Sequence, residues 1–468
     1  MCFPKYILTL FTFIVFRQHT FSQGDKHVIF TPEVFIQQVK LYHPVAKQAN
    51  ILIDKAVAEL LSARGGFDPF ISADAGRKTF DGKNYYYYTS PELKIPTSIG
   101  IDIKTGLENN GGNFLNPEIT AGKTSYLGVE VPLAKGLMLD KRRAILEQAK
   151  IFQQQSEQER LMALNDLLFA AYSDYLQWAG AFQLFNIYSK FVDVANNRLR
   201  LVRIAYTNGD RAMIDTIEAF TQVQNYQLQQ SEALLKLNNA TFDLSNYLWQ
   251  AGDIPTQLPS RFVPDTIQFS MLMVQQPIDD LINQSTIQNP ALKSYELKLN
   301  SLEVERKLKF QSLLPSFNLS ANLLNKNYYA LKGIDAALLQ HNYKWGIEFK
   351  LPLFLREGRG AYRQAKLKIK ETDLQLINKR WQIENKIRTY YNENSLLMEQ
   401  WQTAQSIYKN YYTLLRNEEL KFNQGESTLF LVISREIKVL DLLQKQVELR
   451  IKYFKSRYAI EWSAGLLR

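Results

Sequence analysis

Cysteine is nearly missing from this 468-residue chain: the single one, Cys2, stands at the extreme N-terminus. A disulfide framework and a thiol nucleophile are excluded. Histidine is almost as scarce, four in all, with His27, His43 and His341 far apart, so a Cys/His metal site is excluded as well. With 21 Gly and 15 Pro thinly spread, collagen-like and loop-rich folds do not apply. Nor is there a Gly-rich phosphate loop, a His-Glu-x-x-His pair or a nucleophile elbow, and the residues suggest no enzyme and no cofactor.

Long apolar runs are missing too. The most apolar stretch, Tyr6 to Phe16, is 11 residues long, follows Lys5 and precedes Thr20-Phe21-Ser22. It reads as residues 1–22 of a secretory signal, too short for a spanning helix, which needs about 18 or more residues. Losing Lys5 and Arg17 with the signal lowers the formal net charge from +10 to +8. That excess alternates with Glu and Asp along the chain, which argues against nucleic acid as a partner.

What the chain does have is an internal repeat. His43-Pro44 recurs as Asn289-Pro290, and Pro69 as Pro315, both at an offset of 246. Val131-Pro132-Leu133 recurs as Leu351-Pro352-Leu353 at 220, and Gly209 as Gly425 at 216. The spacing divides the mature chain into a first repeat, 23–250, a Pro-containing linker, 251–276, and a second repeat, 277–468. The drop of 26 between offsets marks an insertion in the first half, expected to be a loop over Lys78 to Pro117 that contains Tyr85 to Tyr88.

Periodicity supplies the elements. Leu161, Leu164, Leu168, Ala171, Tyr175, Trp178, Phe182 and Phe185 keep the alternating 3, 4 rhythm of a helix-packing seam. Ile383, Ile387, Tyr390, Leu397, Trp401, Ala404, Tyr408, Tyr411 and Leu415 keep it again, with Asn394 the exception. The helix expected over 136–206 has 71 residues, as have 31–64 and 213–249 together. Short helices stacked end to end therefore match one long helix, in a rod roughly 100 Å long.

At one end of the rod the period changes to two. Tyr343, Trp345, Ile347, Phe349 and Leu351 alternate with polar residues, as do Phe317, Leu319, Ala321 and Leu323, and Leu127, Val129 and Val131. The expectation is two strands per repeat and four per chain. Four strands cannot close a barrel, which takes about eight, so chains must pool them. Trp345, Ile347 and Phe349 are the candidate lipid contacts.

Several motifs in this order carry a family resemblance: Asn289-Pro290-Ala291-Leu292 with its partner His43-Pro44-Val45-Ala46, Leu314-Pro315, Leu351-Pro352-Leu353-Phe354 with Gly358-Arg359, and Phe422-Asn423-Gln424-Gly425. Over residues 31–464 the layout resembles the TolC family of outer-membrane efflux proteins. That resemblance implies a mainly α fold with a β-barrel contribution, in which long antiparallel helical hairpins form a coiled-coil tunnel and a homotrimer pools four strands per chain into a 12-stranded barrel. It implies an outer-membrane location with a periplasmic extension, a periplasmic adaptor and an inner-membrane pump as partners, and a passive exit duct for small molecules or proteins in a tripartite efflux or type I secretion system. A secreted periplasmic coiled-coil scaffold is the alternative. The resemblance puts the tunnel entrance at the hairpin tips, Gly209 and Gly425, with acids six and nine positions further on. Asp215 and Glu218 fit in the first half; Leu431 and Ser434 stand there in the second. The pair is either a carboxylate ring at the entrance or a solvated helix start favoured by the helix dipole.

Overall fold

A computed structural model describes residues 28–266, 276–328 and 341–468; the expected signal lies outside them. The first half runs through β1 (Val28–Phe30), α1 (Pro32–Tyr42), α2 (Pro44–Gly65), β2 (Phe70–Phe80), β3 (Lys83–Pro96), β4 (Asp102–Gly111), β5 (Gly122–Pro132), α3 (Lys141–Thr207) and α4 (Met213–Ser245). Short strands β6 (Trp249–Gln250), β7 (Ile254–Pro255) and β8 (Phe262–Pro264) follow. The second half contains α5 (Ile278–Gln288), α6 (Pro290–Gln311), β9 (Ser316–Lys326), β10 (Tyr343–Lys350), α7 (Arg356–Asn423) and α8 (Leu429–Ala464). The two halves share one order: two short helices, strands, a very long helix and a return helix.

Local chemistry sets the breaks. The helix expected over 31–64 is cut at His43, because Pro44 has no N–H to continue it. His43 then caps α2, its Nδ1 accepting from the Val45 amide at 3.2 Å. In the second half Asn289 Oδ1 accepts from the Ala291 amide at 2.9 Å ahead of Pro290. Both dipeptides thus build the same device, a side-chain cap followed by proline at the first helical position.

The long helices α3 and α7 have 67 and 68 residues, about 100 Å each. Against α3 lie α2 and α4; against α7 lie α6 and α8; α3 also touches α6 and α8. The seam residues Leu168, Ala171, Tyr175 and Trp178 are buried with Leu397, Trp401, Ala404, Tyr453 and Phe454 in one core that joins the halves. At Gly180 the approach of α3 to α8 is so close that a Cβ would stand 1.8 Å from Ile451 Cδ1. Asn394, the polar break in the rhythm, is buried and paired, its amide donating to the Tyr453 carbonyl at 2.9 Å and to Ser456 Oγ at 2.8 Å.

The mixed class, helical hairpins plus an unclosed sheet, is as the sequence indicated, but the strand number is not. The sheet has six strands in the order β10-β9-β5-β4-β3-β2, every neighbouring pair antiparallel. The insertion expected to be a loop supplies most of the extra pair, and Tyr85 to Tyr88 lie within β3. Four adjacent tyrosines and a mid-strand Pro91 hide the alternation there, so the period-two signal passed below notice.

Candidate functional site

Strand pairing decides which residues share a face, because directly opposed residues of an antiparallel ladder point the same way. Leu93 on β3 faces Thr105 on β4, Thr105 faces Leu127 on β5, Leu127 faces Leu323 on β9, and Leu323 faces Tyr343 on β10. Trp345, Ile347 and Phe349 fall on this apolar face beside Ala321, Leu319 and Phe317. The three candidate lipid contacts are therefore brought together on one strand, and they are 62%, 53% and 61% exposed.

The opposite face is polar and better packed. Tyr126 donates to Glu92 Oε2 at 2.5 Å, Thr124 donates to Glu108 at 3.2 Å, and Asp102, Asn110, Thr124 and Tyr126 are buried. At the helical end Asp102 takes ion pairs from Lys94 at 2.9 Å and from Arg142 of α3 at 2.9 Å, while Lys104 pairs with Glu130 at 2.5 Å. A sheet that packs its polar face and bares its apolar one is inside out for a water-soluble protein and right for a wall with water on one side and hydrocarbon on the other.

The far ends of the helical hairpins turn in the same way twice. Gly209 (φ 82°) and Gly425 (φ 81°) take the left-handed conformation that glycine alone adopts without strain. Each turn is closed by two backbone bonds: Asp210 to the Ala205 carbonyl and Gly209 to Tyr206, then Glu426 to Lys421 and Gly425 to Phe422. These are corresponding positions of the repeat motif. Arg211, which the sequence reading passed over, joins the two tips: its guanidinium lies 4.1 Å from the centre of the Phe422 ring and donates to the Phe422 carbonyl at 3.1 Å.

Further along the rod a second link was also missed. Glu436 of α8 is buried, pairs with Arg198 of α3 and accepts from the Tyr226 hydroxyl of α4 at 2.9 Å. Burial works to lower the Arg198 pKa, but the bond and charge of Glu436 outweigh it and hold it raised. Burial, with the Glu436 charge, pushes the Tyr226 phenol up. A signal did exist: Ile433, Glu436 and Leu440 follow the 3, 4 rhythm, which puts a carboxylate at a seam position.

Asp215 lies in the first turn of α4 and Glu218 one turn on, both half-buried. Glu218 borders a groove shared with Thr221, Gln222, Ser434, Ile437 and Lys438, so it faces the residue that replaces it in the second half. Burial, then the charge of Asp215, raises the Glu218 carboxyl above its ordinary pKa. Asp215 and Glu218 are brought together with each other, near the tips but away from the sheet that carries Trp345, Ile347 and Phe349.

Long helical hairpins that continue into an inside-out sheet define the fold of an outer-membrane channel, and solved structures agree. The chain is similar to the CmeC outer membrane channel of Campylobacter jejuni (15% identity, 93% of this chain and 86% of that one, TM-score 0.65). It is similar to the outer membrane protein VceC of Vibrio cholerae (14% identity, 93% and 96%, TM-score 0.64) and to the open state of the MtrE outer membrane channel of Neisseria gonorrhoeae (12% identity, 93% and 89%, TM-score 0.66). Comparison with curated proteins gives no match. Residues 281–465 match the family described as outer membrane efflux protein. The second half of the chain thus carries the outer membrane efflux protein domain, and the chain over nearly its whole described length has the fold of the outer membrane channels. That family is one of channels rather than enzymes.

Proposed function

We propose that the protein is the outer-membrane exit duct of a tripartite efflux or type I secretion system, a homotrimer that moves small molecules or proteins passively while a partner pump supplies the energy. The observation that carries this reading is the inside-out sheet joined directly to hairpins about 100 Å long. The sheet has two free edges, β2 and β10, among the described residues, so several protomers must join to close a wall. No described helix is long and apolar enough to cross a membrane.

The hairpin tips are the proposed entrance and docking end. Met213, Ile214, Ile217 and Phe430 are exposed there, an apolar surface suited to an adaptor or a neighbouring protomer. In a threefold assembly Asp215 and Glu218 would supply six carboxylates to one opening, a ring that draws cations. Opening at Gly209 and Gly425 would be a shift of packed hairpins. The duplicated caps and tips support two repeats, 23–250 and 277–468, about the linker 251–276.

Single-channel conductance of the detergent-purified mature protein in planar bilayers, with its mass from light scattering, tests the reading. Discrete steps from a trimeric species are expected. A water-soluble species with no conductance would overturn the duct and leave a periplasmic scaffold.

A further inference from the structure

The pair of strands that the sequence reading did not foresee has an amphipathic pattern of its own. Its register is unbroken where it meets the older part of the sheet: Asp102 to Asn110 of β4 pair with Glu130 to Gly122 of β5 without a bulge. Following the pairs outward, Ile103, Thr105 and Leu107 on β4, then Ile95, Leu93, Pro91 and Thr89 on β3, then Ile71, Ala73 and Ala75 on β2 continue the apolar face of β5, β9 and β10. The residues of that band carry no charge on any of the six strands, and the charges on the same face, Arg77 of β2 and Lys123 of β5, stand beyond it at the end away from the helices.

The charges of the added pair all fall on the other face. Glu92, Lys94, Asp102, Lys104 and Glu108 stand with Glu130 and Arg142, and the pair is tied down from that side. Tyr126 of β5 lies across Gly106 of β4, where a Cβ would be 2.6 Å from its hydroxyl, and reaches Glu92 of β3. A plug inside the lumen would carry polar groups on both faces, and an external flap would have no need of a charge-free one. Period-two amphipathicity continuous with the neighbouring strands belongs to a wall.

We propose that the added pair is membrane-embedded, with Thr89, Leu93, Ile103 and Thr105 against lipid, so that each protomer contributes six strands. β2 runs away from the helices and β10 runs back toward them. The β2 edge of one protomer can therefore meet the β10 edge of the next in an antiparallel ladder, and an even number of strands per protomer keeps that pattern around a ring. Resting on the trimeric reading above, three protomers close 18 strands rather than twelve. Barrel diameter grows roughly in proportion to strand number, so the membrane bore would be about half again as wide.

The mature chain has no cysteine, so single cysteines report cleanly. Leu93→Cys and Ile103→Cys, with Thr89→Cys and Thr105→Cys as a second pair should the first fail to assemble, are labelled with an environment-sensitive fluorophore. The whole protein is then reconstituted into vesicles that contain brominated lipid. Quenching is expected to equal that at Leu127→Cys and Leu319→Cys on β5 and β9. Ser90→Cys and Lys104→Cys, on the polar face, are expected to escape quenching and to react with a charged, membrane-impermeant thiol reagent.

Quenching at Leu127 and Leu319 but at none of the four added-pair positions overturns the inference and leaves the duct intact. No quenching at any of the six means that the sheet is outside the membrane, and both readings fall. For the closure itself, Ala73→Cys on β2 is scanned against cysteines at Tyr343, Trp345, Ile347 and Phe349 on β10. A disulfide-linked oligomer from at least one pairing is expected, and none from the whole scan overturns the six-strand closure.

Discussion

Glu436 shows what a single residue contributes to this rod. A carboxylate enclosed among three helices is tolerable only because Arg198 and Tyr226 both reach it. Removing one partner leaves the other buried and unmatched. Arg198→Ala is expected to cost about 3–5 kcal/mol, and Tyr226→Phe about 1–3 kcal/mol. Thermal melting of the detergent-solubilised protein by circular dichroism measures both. Replacing Arg198 and Glu436 together with Met should recover most of the loss, since an apolar seam has no charge to satisfy. An Arg198→Ala protein as stable as the parent would show that the pair does not hold the hairpins.

The acidic pair belongs to the same scale. Asp215→Asn with Glu218→Gln is expected to reduce the cation preference of reconstituted channels, read as a shift in reversal potential under a salt gradient. Glu218 adds a pH dependence. Its folded-state pKa lies above the ordinary value, so it loses its charge earlier as pH falls than a free glutamate would. The same shift makes folding relatively more favourable below the unfolded pKa, a contribution lost as pH rises through the folded one. Cation preference should therefore weaken on mild acidification in the parent and not in Glu218→Gln. Equal pH profiles would remove Glu218 from the entrance.

Between elements, the decisive contact is the approach of α3 to α8 at Gly180. Gly180→Ala places a methyl against Ile451 Cδ1 and is expected to destabilise by about 1–3 kcal/mol, as overpacking does. Ile451→Val removes the obstructing carbon, so the double variant should be more stable than the sum of the single effects. Chemical denaturation of all four proteins closes the cycle. The same reasoning explains Asn394, which read in the sequence as a flaw in the seam. With both amide protons bonded across to α8, it fixes the register of α7 against its neighbour.

Across the molecule, the two tips are joined by Arg211 on Phe422, and the hairpins behind them by Arg198, Tyr226 and Glu436. If opening separates the hairpins, these links hold the closed state. Cysteines at Arg211 and Phe422, oxidised to a disulfide, are expected to abolish conductance and export, and reduction should restore both. Export that persists in the cross-linked protein would rule out movement between the tips as the gate.

Much of this was legible along the chain. Packing seams leave a 3, 4 rhythm and lipid-facing strands a period of two, and both are local patterns that a sequence displays. The proline breaks and tip glycines were readable for the same reason, because each constrains its own backbone. Six strands instead of four were not, since Tyr85 to Tyr88 and Pro91 obscure the alternation of β3, and only pairing with β4 reveals which residues share a face. Nor was the partnership of Arg211 with Phe422, or of Arg198 and Tyr226 with Glu436. The sequence by itself determined where the long helices break and turn and where the two halves repeat, because those limits arise from neighbours along the chain. Tertiary structure decided which charges are paired and how many strands form the sheet, because both depend on residues up to 238 positions apart meeting in space.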